Sequence, residues 1–309
     1  MLVYVWLIVG FILLIKGADY FVDGSSGIAK ILKVPSVIIG LTIVAMGTSA
    51  PECAVSIAAA VKGDNAIAIS NVVGSNIFNL VVVCGLCAMI APMKIDISIL
   101  KKEFPMSILA GILLWFLCLD GKLGRLDGFL FLIIFVVFLI SMVVSAMKVR
   151  NGEEENLEQK KIPVPLCLIY ISGGLLAIIW GGDLVVDSAS EIAKRFGLSQ
   201  TLIGLTIVAI GTSLPELVTS IVAARKGETG MALGNVVGSN LFNILLVLGL
   251  SVFISPIGVG TETLYDLVLL AGMSLVAFAF TWTQKKLSRV EGLVMVSMYV
   301  AYMYYICVR

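Results

Sequence analysis

The stretch IGLTIVAMGTSAPECAVSIAAAVKGDNAIAISNVVGSNIFNL, residues 39–80, returns as IGLTIVAIGTSLPELVTSIVAARKGETGMALGNVVGSNLFNI, residues 203–244. The two align without a gap at an offset of 164, and 27 of the 42 positions are identical. Each copy is an apolar run broken at the same point by Gly-Thr-Ser-x-Pro-Glu, from Gly47 to Glu52 and from Gly211 to Glu216. A charged side chain at the centre of a bilayer costs at least about 2.5 kcal/mol, so a chain that carries one there twice has a use for it. The match reaches back to Gly17, Asp19 and Asp23, which pair with Gly181, Asp183 and Asp187, so each repeat includes the end of the preceding apolar run.

The rest of the composition agrees with a chain that lives in lipid. Of the 309 residues, 60% are hydrophobic and 13% charged, and the mean hydropathy is +1.09. An ordinary soluble domain carries about 25% charged residues. A net charge of +1 excludes a strongly basic nucleic-acid binder, and no phosphate-cradling or dinucleotide motif is present. Histidine is absent, so any cation site must be built from oxygen ligands, which select hard cations. Cys53, Cys84, Cys87, Cys118, Cys167 and Cys307 mostly lie in apolar runs and read as small buried hydrophobes rather than a redox centre. MLVYVWLIVGFILLIKG at the start lacks a basic leader and a cleavage site, and reads as the first span.

At roughly 20 apolar residues per crossing, ten segments are expected, starting near residues 2, 35, 66, 104, 127, 164, 198, 230, 264 and 290. The fold class is therefore an all-α polytopic membrane protein. Alternating the loops between sides puts 14 of the 21 basic residues on one side, which should be cytoplasmic, with both termini outside. Equivalent points of the two repeats are five spans apart. An odd number sends the second copy through the membrane in the opposite direction, giving two inverted five-helix halves related by a pseudo-two-fold axis in the membrane plane. The expected layout is residues 1–147, a short polar cytoplasmic linker at 148–163, and residues 164–309. Such an architecture puts its substrate site where the repeats meet, near the midplane.

The chemistry of the break follows from its residue types. Pro51 and Pro215 remove a backbone donor and should release the carbonyls of Gly47 and Gly211, with those of Ala45 and Ala209 as further candidates. The hydroxyls of Thr48, Ser49, Thr212 and Ser213 and the carboxylates of Glu52 and Glu216 complete a set of hard oxygen donors suited to sodium or calcium. The following span of each repeat carries NVVGSNIFN, with Ser75 and Asn79 four residues apart on one helix face and Ser239 and Asn243 likewise. The formal charge of two carboxylates balances one Ca²⁺ and is compatible with two or more Na⁺.

Each of these features has a plainer reading. A single Gly-Ser-Asn in a span packs helices more often than it binds an ion. Duplication beside a buried carboxylate is what shifts Ser75 and Ser239 towards ligands. Asn71, Asn76, Asn235 and Asn240 read as interhelical hydrogen-bond donors, and Asp19, Asp23, Asp183 and Asp187 as interface or capping residues at span ends.

The paired GTSAPE and GTSLPE elements, each followed by GSNIFN or GSNLFN, closely resemble the two alpha-repeats of the sodium/calcium exchanger family of cation/calcium antiporters. Four motif elements in order and in duplicate make the resemblance specific, and with the ten-span layout it covers nearly the whole chain. It implies alternating access by sliding of the first and sixth helices past a fixed bundle of the other eight. It also implies that Glu52 and Glu216 are the main calcium and sodium ligands, with Asn79 and Asn243 completing a central diamond. Thr48, Ser49, Ser75, Thr212, Ser213, Ser239 and the carbonyls of Ala45 and Ala209 would line flanking sodium positions. Na⁺ and Ca²⁺ are then cargo, with no cofactor, no enzymatic activity and no obligate protein partner, in a cell membrane.

Asn243 stands where the potassium-dependent branch resembles this motif with an aspartate, which argues against potassium co-transport. The Gly-Asn-x-x-Glu elements of the proton-coupled branch are absent. A proton-coupled or potassium-dependent exchanger is the nearest rival reading, and a passive cation channel the rival from another class.

Overall fold

The structure is a computed structural model that describes residues 2–63, 65–150, 163–197, 207 and 209–308. It is almost wholly helical. Helix α1 spans Leu2–Leu32. A broken helix follows, with α2 at Ser36–Thr48 and α3 at Ala50–Lys62 meeting at 47°. Then come α4 (Ile67–Ile90), α5 (Ile99–Asp120), α6 (Arg125–Lys148) and α7 (Val164–Arg195). After the helical turn Ala209–Gly211 the chain continues as α8 (Leu214–Arg225), α9 (Thr229–Ile254), α10 (Thr261–Thr283) and α11 (Arg289–Val308).

Eight of these helices are long and apolar enough to cross a membrane, and the bent pair α2 and α3 makes a ninth span among the described residues. The seventh expected segment, beginning near 198, falls largely on residues outside the described set, with α8 as its described continuation. The linker at 148–163 also lies mostly outside that set. The protein is a multi-pass membrane protein.

Helices α1 and α7 occupy equivalent places in the two repeats, and they pack against each other antiparallel along their length. Gly10 faces Gly181 and Val185, Gly17 faces Gly174 and Ile178, and Gly24 faces Cys167 and Tyr170. Small residues at seven-residue intervals let the two backbones touch, which is how helices associate when lipid removes the hydrophobic driving force. A Cβ on Gly17 would sit 2.8 Å from the carbonyl oxygen of Gly174.

The inverted repeat is visible in pairs of contacts that exchange the halves. Gly85 of α4 meets Gly292 of α11, and Gly249 of α9 meets Gly128 of α6. The ring of Phe78 packs edge-on against Tyr299 at 5.4 Å, and Phe242 does the same against Phe135 at 5.0 Å. Two short antiparallel strand pairs at the helix ends repeat the exchange. Strand β1 (Met93–Lys94) pairs with β4 (Lys286–Leu287), and β2 (Lys122–Leu123) with β3 (Ile257–Gly258). In every case adding 164 to one member of a contact gives the equivalent member of its mate, as a two-fold axis requires. Helices α4 and α9 are the most enclosed of the candidate spans, 78% buried over their apolar windows, and they cross at the centre of the bundle.

Candidate cation site

The breaks put both glutamates at the start of a helix. Ser49 and Ser213 leave helical geometry at ψ 6°, a proline sits in the first turn of α3 and of α8, and Glu52 and Glu216 lie in that same turn. Proline is tolerated there because the first helical N–H groups have no intrahelical acceptor. The positive ends of two helix dipoles therefore meet the two carboxylates. Both glutamates are wholly buried, at 0% exposure.

The repeats then cross-link. The Ser49 hydroxyl donates to Glu216 Oε1 at 2.9 Å, and the Ser213 hydroxyl donates to Glu52 Oε1 at 3.2 Å. Ser213 also lies 3.1 Å from the Ser75 hydroxyl. The Asn71 amide donates to Ser56 at 3.0 Å and to the main-chain carbonyl of Glu52 at 3.4 Å. In the other half, the Asn235 amide donates to Ser220 at 2.9 Å and to the carbonyl of Glu216 at 3.5 Å. Thr48 adds a bond to Asn235 Oδ1 at 3.1 Å, and Ser239 reaches the same oxygen at 3.5 Å. Each glutamate is thus held by a serine of the opposite repeat and by an asparagine of its own.

At the crossing of α4 and α9, the Asn76 amide donates to the carbonyl of Asn240 at 3.2 Å and the Asn240 amide to the carbonyl of Asn76 at 3.1 Å. Both helices widen to π geometry just beyond, at Phe78–Val83 and Asn243–Leu248. Such bulges leave local carbonyls without their usual helical donor and are frequent at functional sites. The bulges carry Asn79 and Asn243.

What the protein leaves unpaired here defines the chemistry. Glu52 Oε2, Glu216 Oε2, Asn79 Oδ1, Asn240 Oδ1, Asn243 Oδ1 and the Thr219 hydroxyl are buried without a hydrogen-bond partner. Buried polar atoms ordinarily find partners, so a cluster of orphaned oxygens needs an explanation. Among the described residues neither glutamate forms an ion pair with Lys or Arg. Among the described residues no three or more His, Cys, Asp or Glu are placed together to hold a metal ion. Two carboxylates surrounded by neutral oxygens fit a hard cation and fit neither zinc nor a copper centre.

Of the residues singled out in the sequence, Thr48, Ser49, Ser75, Ser213, Ser239 and the two glutamates come together, with one correction at Ala45. The Ala45 carbonyl, expected to be released by the break, accepts the Ser49 N–H at 3.0 Å and the Thr48 hydroxyl at 3.4 Å. The turn survives because Pro51, the residue that cannot donate, lies two positions beyond Ser49; a cation at this carbonyl would take the place of the longer Thr48 bond. Ala209 opens the short turn Ala209–Gly211, next to Thr212 and Ser213. The interhelical bonds expected of Asn71, Asn76, Asn235 and Asn240 are present. Ser56, Ser220 and Thr219 were not singled out in the sequence, although the identity of Ser56 and Ser220 at the repeat offset was a signal for them.

One departure from symmetry stands out. Lys226, at the end of α8, bonds Asp23 at 2.8 Å and the carbonyl of Asp19 at 2.9 Å, and it lies 3.5 Å from the Asp19 carboxylate. Next to it the Ser26 hydroxyl donates to Glu228 at 2.6 Å. The repeat-equivalent residues Lys62, Asp183 and Asp187 form no ion pair among the described residues, and the Ser190 hydroxyl is buried and unpartnered. Helix α1 packs along α8, whereas α7 has no comparable contact with α3. A crevice of about 530 Å³ runs along α3, lined by Met46, Ser49, Ala50, Cys53, Ile57 and Phe242.

The profile of the family described as sodium/calcium exchanger protein matches residues 2–144 and again 166–308. The chain belongs to this family. It is 40% identical to the putative antiporter CaxA of Alkalimonas amylolytica over 97% of both chains. It is 34% identical to the sodium/calcium exchanger MaX1 of Methanosarcina acetivorans over 96% of both. Among solved structures, the sodium-calcium exchanger NCX_Mj superposes with a TM-score of 0.87 at 33% identity, covering 99% of each chain. NCX_Mj has been studied after soaking with Na⁺ together with Ca²⁺ or Sr²⁺. Transport rather than catalysis is the activity of the family.

Proposed function

We propose that this chain is a secondary antiporter that exchanges Na⁺ for Ca²⁺ across the cell membrane by alternating access, with the two ions competing for one set of oxygens. The observation that carries the reading is the pair of wholly buried glutamates whose outer oxygens are unpaired and whose charge no basic side chain offsets among the described residues. Glu52 and Glu216 are the shared ligands, with Asn79 and Asn243 facing the same centre. Thr48, Ser49, Ser239 and the Ala45 carbonyl serve the flank beside Glu216, and Thr212, Ser213, Ser75 and the Ala209 carbonyl the flank beside Glu52. Loading either cargo neutralises the carboxylates and permits the site to close. An empty site leaves charge facing an apolar gate, which holds the protein in place and suppresses leak.

The halves 1–147 and 164–309, joined by the linker at 148–163, are the units that exchange roles. By the distribution of basic residues both termini and the Lys62 end of α3 face outward, so the crevice opens to the outside and the Lys226 cluster closes the cytoplasmic end. Lys62, Asp183, Asp187 and Ser190 repeat that cluster in the other half and are assigned to closing the outer end in the opposite state. No cofactor is needed, since the ions are the cargo.

The test is ⁴⁵Ca²⁺ uptake into proteoliposomes loaded with Na⁺ and diluted into Na⁺-free or Na⁺-matched buffer, with K⁺-loaded and pH-jump controls. Uptake only under the outward sodium gradient supports exchange. Uptake that follows protons or potassium moves the coupling ion, and uptake without any gradient replaces the antiporter with a channel.

A further inference from the structure

Asn243 is an amide, and an amide can ligate a cation only through its oxygen. Turned by 180° about its last bond, it would present an NH₂ group to the ion instead. Something must set its direction. In this structure the Asn243 amide nitrogen donates to Asn76 Oδ1 at 3.1 Å, which leaves Asn243 Oδ1 pointing away, buried and unpaired. Asn76 is in turn fixed, because its own nitrogen donates to the main-chain carbonyl of Asn240 at 3.2 Å. A main-chain carbonyl only accepts, so it determines which end of the Asn76 amide faces it, and Asn76 determines which end of Asn243 does.

The other half lacks this relay. Asn240 donates to the carbonyl of Asn76 at 3.1 Å, but its Oδ1 is unpaired, and neither side-chain atom of Asn79 has a partner. The two asparagines at the centre are therefore inequivalent: one is held in a single orientation and the other is not.

We infer that Asn76 is a positioning residue that keeps the Asn243 carbonyl oxygen directed at the transported cation. The inference rests on the reading of Asn243 as a ligand. It accounts for an amide at 243 being usable at all, since a carboxylate there would offer an oxygen in either orientation and need no orienting partner.

This difference supplies the test, a four-corner comparison of Asn76→Ala and Asn243→Asp measured as the Ca²⁺ concentration for half-maximal uptake into Na⁺-loaded proteoliposomes. Removing the partner that orients a metal ligand typically weakens binding by about 10–100-fold, and that is the effect expected of Asn76→Ala alone. In the Asn243→Asp background the same change should cost less than about threefold, because aspartate needs no orienting. Asn240→Ala, which removes the matching interhelical bond without touching the relay, should cost the same in both backgrounds. If Asn243→Asp does not transport, equilibrium ⁴⁵Ca²⁺ binding to the purified protein gives the same comparison.

An equal loss for Asn76→Ala in both backgrounds would make Asn76 a packing residue and overturn the inference, as would no loss in the wild-type background. Asn243→Leu separates this from the parent reading. Wild-type calcium affinity in Asn243→Leu removes Asn243 from the site, whereas weakened affinity combined with an unrescued Asn76→Ala leaves the site standing and refutes the relay alone.

Discussion

Replacing Glu52 or Glu216 by glutamine should abolish exchange and at the same time make the ion-free protein more stable. Each carboxylate is wholly buried and uses only one oxygen within the protein: Glu52 Oε1 accepts from Ser213, and Glu216 Oε1 accepts from Ser49. Glutamine keeps that acceptor and puts its NH₂ where the unpaired Oε2 stands, so assembly is preserved. The ion-free protein is relieved of the desolvation cost of a buried carboxylate, so the variant gains stability. The ion-loaded protein loses its counter-charge. In the wild type, an ion at 100 times its dissociation constant stabilises the fold by about 2.7 kcal/mol, and this increment should vanish. Thermal unfolding of purified wild type and variants, with and without Ca²⁺ or Na⁺, reads both effects; ⁴⁵Ca²⁺ uptake reads transport. A variant that keeps the ion-dependent increment, or sodium-driven uptake retained by both variants, would refute the assignment of these carboxylates.

Three further outcomes are expected. Ser49→Ala and Ser213→Ala each remove a hydrogen bond to a carboxylate of the other repeat, an interaction worth about 1.5–3 kcal/mol, and should raise the half-saturating Na⁺ concentration while leaving a folded exchanger. Gly17→Ala puts a methyl group 2.8 Å from the Gly174 carbonyl and should lower stability by about 1–3 kcal/mol through overpacking of α1 on α7, measured by thermal unfolding in detergent. Lys226→Met loosens the cluster with Asp19 and Asp23. In a Cys307→Ser background it should slow labelling of Cys53, on the crevice, by a membrane-impermeant maleimide, while Lys62→Met should not slow it; equal labelling of all three proteins would dismiss the cluster as a gate.

The helical membrane class, the inversion and the broken spans were legible because each follows from one chain property: apolar length, an odd number of spans between copies, and a proline four residues after a glycine. The residues of the candidate site stand out because they occur twice. Their partners do not. An offset of 164 says that Ser49 corresponds to Ser213, but not that each serine bonds the glutamate of the other repeat rather than its own. The glycines at 10, 17 and 24 lie in an apolar run where hydropathy does not distinguish a lipid-facing glycine from one that admits a second backbone. The π segments at Phe78–Val83 and Asn243–Leu248 left no mark in composition, since hydropathy registers an apolar run and not the width of its turns.

Symmetry in sequence combined with asymmetry in structure is itself informative. Lys62, Asp183, Asp187 and Ser190 match Lys226, Asp19, Asp23 and Ser26 at the repeat offset, yet among the described residues only the second set is engaged. A partly exposed ion pair contributes about 1 kcal/mol or less, too little to lock a protein in one state. In the proposed cycle forming one cluster costs the other, so the two end states differ by the difference of two similar small terms. A transporter needs that near-degeneracy, because an ion can shift the equilibrium only by its differential affinity for the two states. In the proposed cycle, a duplicated closure made of weak bonds keeps the two states within reach of the cargo, and a stronger closure on one side alone would stop it.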